Sequence, residues 1–122
     1  MTLILKPEIF RACYDFLRTT PPFSLRGWRL PPGEEVEFHV TRQIDREGSH
    51  TNYLWRPKEH IIKISERRVA HTSTLISVMA HEMVHAVQIQ YRHATPNAEH
   101  NADFWRRWAD VAAIHGFDPK TL

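Results

Sequence analysis

Apolar residues recur at helical spacing in three stretches of the chain and alternate with polar ones between the first two. Residues 6–20, KPEIFRACYDFLRTT, carry a helical stripe of Ile9, Cys13, Phe16 and Leu17 with Phe10 on its flank. Pro7 suits the first turn, Glu8 complements the positive end of the helix, and Pro21-Pro22 ends it. Residues 21–33 then read as loop, with Trp28 as a plug on the core. EVEFHVT, residues 35–41, sets Val36, Phe38 and Val40 against Glu37, His39 and Thr41, the alternation of a half-buried strand with His39 facing solvent. After turn chemistry at 45–50, TNYLW at 51–55 predicts a second short strand and HIIKIS at 60–65 a third. The short connections between them predict an antiparallel meander.

Residues 72–91, TSTLISVMAHEMVHAVQIQY, form the longest periodic segment, with a stripe of Ile76, Met79, Met83 and Val87. Thr72 or Ser73 is positioned to cap its start, and Pro96 lies beyond its end. A final helix is predicted over 101–116, with Phe104, Trp108, Val111, Ala112 and His115 on one side and Gly116 as its stop. Together these elements make an α+β fold: an N-terminal helix, a small three-stranded mainly antiparallel sheet, a long central helix and a C-terminal helix, in one domain spanning 1–122.

Composition narrows the function without naming it. With 42% hydrophobic residues, four Trp, six Phe and three Tyr in 122 residues, the chain has material for a real core. The formal net charge is only +2, and the pairs Arg67-Arg68 and Arg106-Arg107 read as solvated helix faces rather than a nucleic-acid patch. The single cysteine, Cys13, excludes an internal disulfide or a cysteine zinc ribbon and reads as a small buried hydrophobe. MTLILKPEIF is too briefly apolar for a signal peptide, and no run is long enough to span a membrane, so a soluble cytoplasmic protein is expected.

HEMVH, residues 81–85, lies in the second half of the 72–91 helix. Four residues of α-helix turn about 400°, so positions four apart lie within about 40° of one another. His81 and His85 therefore present two imidazoles on one face, with Glu82 beside them, the H-E-x-x-H arrangement of a zinc site with its own general base. Short motifs arise by chance in a chain with nine His, so the rest of the site has to decide. A catalytic zinc takes three protein ligands and leaves one position open. His93, His100 and His115 are the downstream candidates. His93 would require an immediate chain reversal, and His115 fits the last helix's buried stripe as a satisfied core histidine. His100 opens the final helix after a loop long enough to return to the metal. Glu99 and Asp103 are carboxylate rivals, Asp103 reading better as a partner of a ligand or as a helix N-terminal charge.

HEMVHAVQ, a loop, and then HNADFWRRW resemble the SprT-like zinc metallopeptidases, which include the Spartan proteases. That family pairs H-E-x-x-H with a third His opening a helix, commonly as His-Gly-x-x-Phe, and precedes its catalytic helix with a strand of the form I-x-I/L-S. IIKIS at 61–65 stands in that place, and an N-terminal helix before a small sheet agrees. The resemblance implies His81, His85 and His100 as zinc ligands and Glu82 as catalytic base. The sequence departs at Asn101, where Gly is usual. Asn tolerates unusual backbone angles better than most residues. It also lacks the cysteine ribbon of many bacterial relatives and the DNA-binding extensions of the Spartan type, so a minimal protease core is expected.

The function expected is a zinc-dependent metallopeptidase hydrolysing peptide bonds of protein substrates, with a zinc-activated water and Glu82 as base. The alternative is a catalytically silent, zinc-stabilised module that binds a protein or DNA partner. An intact Glu82 favours the enzyme, because a structural site needs no base. A DNA-associated substrate is suggested by the Spartan resemblance alone, and the modest charge argues against strong autonomous DNA binding. Tyr53, Tyr91, His93 and His115 are candidates to stabilise the tetrahedral intermediate. Strand 60–65 is expected to take substrate as an edge strand, by peptide addition.

Overall fold

A computed structural model describes residues 4–25, 27–52, 56–95 and 100–120. The elements in chain order are α1 (Pro7–Arg18), a 3₁₀ turn (Gly33–Glu35), β1 (Val36–Thr41), β2 (Gly48–Asn52), β3 (His60–Ser65), α2 (Thr72–Gln90) and α3 (Ala102–His115). No helix among the described residues is long and apolar enough to cross a membrane.

Pro7 does open α1, with Glu8 in the first turn and Arg18 in the last. Its buried face is Phe10, Tyr14 and Leu17, so the stripe is rotated from the one the sequence predicts. Phe16 is 56% exposed, and Ile9 and Cys13 are half-buried. Tyr14 explains the rotation. Its ring packs edge-on against Phe38 at 5.6 Å while its hydroxyl donates to the Pro31 carbonyl at 2.6 Å. An aromatic body with a satisfied polar tip is a core residue that a hydrophobic-or-polar pattern scores as polar. Burial pushes the Cys13 thiol up to about 12, so it is inert packing material.

The sheet has the order β1-β3-β2. β1 runs parallel to β3 in the register Val36↔His60 to Thr41↔Ser65, and β2 pairs antiparallel to β3 from Gly48↔Ile64 to Asn52↔His60. The predicted meander is therefore corrected: the sheet is mixed, and β1 and β2 are not neighbours. Parallel neighbours need a long connection, and the whole of 42–59, β2 included, supplies it. Strand β3 is central rather than an edge, with every residue but Lys63 buried. The second strand also starts earlier than predicted, at Gly48, and residues 53–55 of the predicted strand lie outside those described.

Helix α2 packs on this sheet and is buried over most of its circumference, with Met79, Met83 and Val87 fully enclosed and Ile76 partly so. The predicted hydroxyl cap is absent. His71 is the capping residue, with no side-chain cap bond, because Thr72 is already helical. Tertiary burial holds the helix in place of a good start signal. Two contacts fix α2 relative to β2. Leu75 and Val78 join the core, and Gly48 lets the strand approach closely: a Cβ there would stand 2.9 Å from Val78 Cγ1 and 3.0 Å from the Lys63 carbonyl. α3 begins at the capping residue Asn101 and ends at Gly116, which takes the left-handed conformation (φ 79°) that glycine adopts without penalty.

Candidate metal centre

The helical spacing of HEMVH brings the His81 and His85 rings to 5.0 Å between centroids, with their Nε2 atoms 3.3 Å apart. His100, the residue before the α3 cap, enters from across the cleft and sets its Nε2 3.2 Å from that of His81. All three donor atoms fall within 4.8 Å of one another. A tetrahedral ion bonded to nitrogen at about 2.0–2.1 Å holds adjacent donors about 3.3 Å apart. The His81–His85 and His81–His100 spacings thus fit such an ion, and three donors leave its fourth position open.

Aromatic packing holds the rings. Phe104 touches all three, at 4.9 Å from His81, 4.7 Å from His85 and 4.5 Å from His100, and Trp108 closes on His81 at 5.5 Å. Among the described residues His81 Nδ1 is buried with no hydrogen-bond partner, so Phe104 and Trp108 hold that side of the ring by contact. Burial, and then the neighbouring His85 and His100, push the His81 pKa down to about 3. The ring therefore stays neutral, with a lone pair available to a metal. Glu82 is 6% exposed and lines two adjoining cavities, of about 260 and 440 Å³, together with His81, His100 and Gly48.

Asn101 explains how His100 is delivered. Its backbone is extended (φ −77°, ψ −178°), so no glycine-like conformation is needed where the family commonly has Gly. Its Oδ1 accepts from the Phe104 amide at 2.9 Å and from Gln88 Nε2 at 2.8 Å. Its Nδ2 donates to the His93 carbonyl at 3.0 Å and to Thr95 Oγ1 at 3.3 Å. One side chain caps α3, ties it to α2 and holds residues 93–95.

The other predicted candidates lie elsewhere. His93 Nδ1 meets Arg107 at 3.0 Å and the Asp103 carboxylate at 3.4 Å, not the histidine cluster. Asp103 is a helix N-terminal charge, as expected, but its described partners are Gln88, His93, Arg106 and Arg107 rather than a cluster histidine. Burial alone would raise its pKa; hydrogen bonds from Arg107 and Gln88 and the Arg107 charge outweigh that and leave it low. His115 is not the satisfied core histidine expected: it is half-buried, stacks on Phe117 at 5.7 Å, and leaves Nε2 buried without a partner among the described residues. Tyr91 spends its hydroxyl on the Gly27 carbonyl at 2.9 Å and the Arg29 amide at 3.3 Å. Tyr53 and Glu99 lie outside the described residues. Arg107 is no solvated face either: it is 8% exposed, lies over the Trp28 and Tyr91 rings and pairs with Asp103.

Two histidines that sequence reasoning passed over line up beside the cluster. His50 Nε2 is 2.8 Å from His60 Nδ1, and Gln90 Nε2 is 3.0 Å from His60 Nε2. Burial, helped by His60 and His85, pushes His50 down to about 3, and burial lowers His60 against the pull of Glu59. The available signal was strand alternation, which puts His50 on the face of Gly48 and Asn52 once β2 is started at 48 rather than 51.

The SprT-like family profile matches residues 24–121, a span that contains the sheet, the H-E-x-x-H helix and His100. The chain belongs to the SprT-like family. No curated protein gives a match to it. Membership makes this SprT-like chain a metallopeptidase-like domain, and the family is usually metal-dependent. The cluster of His81, His85 and His100 is where this SprT-like fold offers a metal three nitrogen donors.

Proposed function

We propose that the chain is a zinc-dependent metallopeptidase that hydrolyses peptide bonds of protein substrates. The observation that carries it is the convergence of three imidazole nitrogens, with the His81–His85 and His81–His100 spacings fitting a tetrahedral ion, on a cleft lined by a buried carboxylate. His81, His85 and His100 hold the metal, and neutral imidazoles suit zinc. When bound, zinc lowers the pKa of water and polarises a carbonyl. Glu82 follows His81 directly, so its carboxylate is placed to take the proton from the attacking water and return it to the leaving amine. Phe104 and Trp108 keep bulk water off the inner side of the site and leave the approach through the cleft.

Substrate cannot add to β3, which is hydrogen-bonded on both sides. Its place in the proposal passes to β2, which stands at one end of the strand order. Gly48, Ser49 and His50 of β2 line the larger cavity beside the three imidazoles, so a peptide extending the sheet there runs past Glu82. The ligand set is tested by alanine variants of His100, His93 and His115, scored for bound zinc and for cleavage of an unfolded protein. His100→Ala is expected to lose both, while His93→Ala and His115→Ala keep the metal. Retention of full zinc by His100→Ala would remove His100 from the site.

A further inference from the structure

Three side chains on the β2 side of the cleft form a directed chain that the proposed hydrolysis does not use. Gln90 closes the last turn of α2, His60 opens β3, and His50 stands in the middle of β2 opposite Ile62. The Gln90 amide nitrogen carries only hydrogens to offer, so His60 Nε2, 3.0 Å away, accepts. The one proton of a neutral His60 ring is then on Nδ1, which donates to His50 Nε2 at 2.8 Å. His50 Nε2 is thereby the bare nitrogen, and its proton is on Nδ1. That Nδ1 has no hydrogen-bond partner among the described residues and is not among the buried atoms sealed from solvent. His50 lines the same cleft as His81, Glu82, His85 and His100. His60 itself is 1% exposed and fixed in the core, so the ring it orients has little freedom to turn.

Two other side-chain donors near the cleft point elsewhere, and Arg46 is held only at ion-pair distance. Arg68 donates to the Ile44 carbonyl at 2.8 Å, Arg46 pairs with Asp45 at 3.6 Å, and Ser77 donates to the Thr74 carbonyl at 3.0 Å. Tyr91 and His93 are bound outside the cluster. A peptide carbonyl that becomes tetrahedral gathers negative charge and needs a fixed N–H aimed at it.

We propose that His50 is a catalytic residue of this site: its Nδ1–H bonds the carbonyl oxygen of the bound peptide and strengthens that bond as the oxygen gains charge. His60 and Gln90 are positioning residues that set the tautomer and the ring direction. The role rests on the peptidase function proposed above, and the following experiments separate the two.

Ring ¹⁵N spectra of the zinc-loaded wild type are expected to show both His50 and His60 protonated at Nδ1. A His50 proton on Nε2 would overturn the chain. In the wild-type background, His50→Phe keeps a ring of similar size but removes the donor. It is expected to lower kcat about 100-fold, the scale of one oxyanion donor, with KM changed far less and zinc content unaltered. His50→Gln, which restores an N–H, recovers part of the loss. A phosphinate peptide, tetrahedral and anionic at the reacting centre, is expected to bind His50→Phe more weakly by a similar factor, a readout independent of turnover. Cleavage and phosphinate binding unchanged in folded, zinc-loaded His50→Phe would sink the role of His50 alone. Wild type that neither cleaves protein nor binds the phosphinate would sink the peptidase function, and this role with it.

Discussion

Asn101 makes four hydrogen bonds where the family commonly places a residue that can make none from a side chain. Asn101→Ala loses the α3 cap and leaves Gln88 and residues 93–95 untied, so a stability loss of about 1–3 kcal/mol is expected in denaturant unfolding. Weaker zinc binding should accompany it, because His100 is the adjacent residue. Unchanged stability and zinc affinity would show that the cap is incidental. The grouping of His81, Glu82 and His85 was legible in the sequence because helical geometry is local, whereas His100 was reached through the length of the loop before the final helix and the family resemblance. Tyr14, Arg107 and Asn101 were not legible, since each owes its place to a partner distant in sequence: Pro31, Trp28 and Gln88 respectively. His50 was hidden by a strand boundary placed three residues late.

At the scale of elements, the three helices were readable from periodicity, β1 from alternation and β3 as a short strand, but the sheet order was not. Strand pairing depends on which chains meet, and a local pattern carries no information on whether the neighbour of β1 is β2 or β3. The close contact of β2 with α2 is likewise non-local, and it sets one wall of the cleft. Gly48→Ala drives a methyl into the Lys63 carbonyl, which cannot move without breaking the sheet. A loss of about 1–3 kcal/mol is expected in chemical denaturation. A neutral result would mean that β2 shifts freely and does not fix the cleft wall. The bare start of α2 gives the opposite prediction. His71 is exposed and its backbone already has the extended geometry of a cap, so His71→Asp should stabilise the protein by about 0.5–1 kcal/mol. A lower melting temperature for that variant would show that His71 makes a contact worth more than a cap.

For the whole molecule, the buried histidines make folding sensitive to acid. His50 is held at about 3 and His60 below its ordinary 6.5 when folded, whereas both return to about 6.5 on unfolding. The unfolded chain binds more protons below 6.5, so their contribution is fully present above that value and is lost as pH falls toward 3. The melting temperature should drop over that window, with a shallower slope in His60→Leu; equal slopes would mean that His60 binds its proton equally in the folded and unfolded states. A metal bound only by the folded chain adds to stability, so chelation should lower the melting temperature as well.

The most direct measurement is zinc content and proteolysis together, on wild type and on Glu82→Gln, purified without chelator. The expected result is about one zinc per chain in both, with an unfolded protein cleaved by wild type alone. Wild type that binds no zinc would contradict the central claim, and zinc in both with cleavage by neither would make this a metal-stabilised binding module.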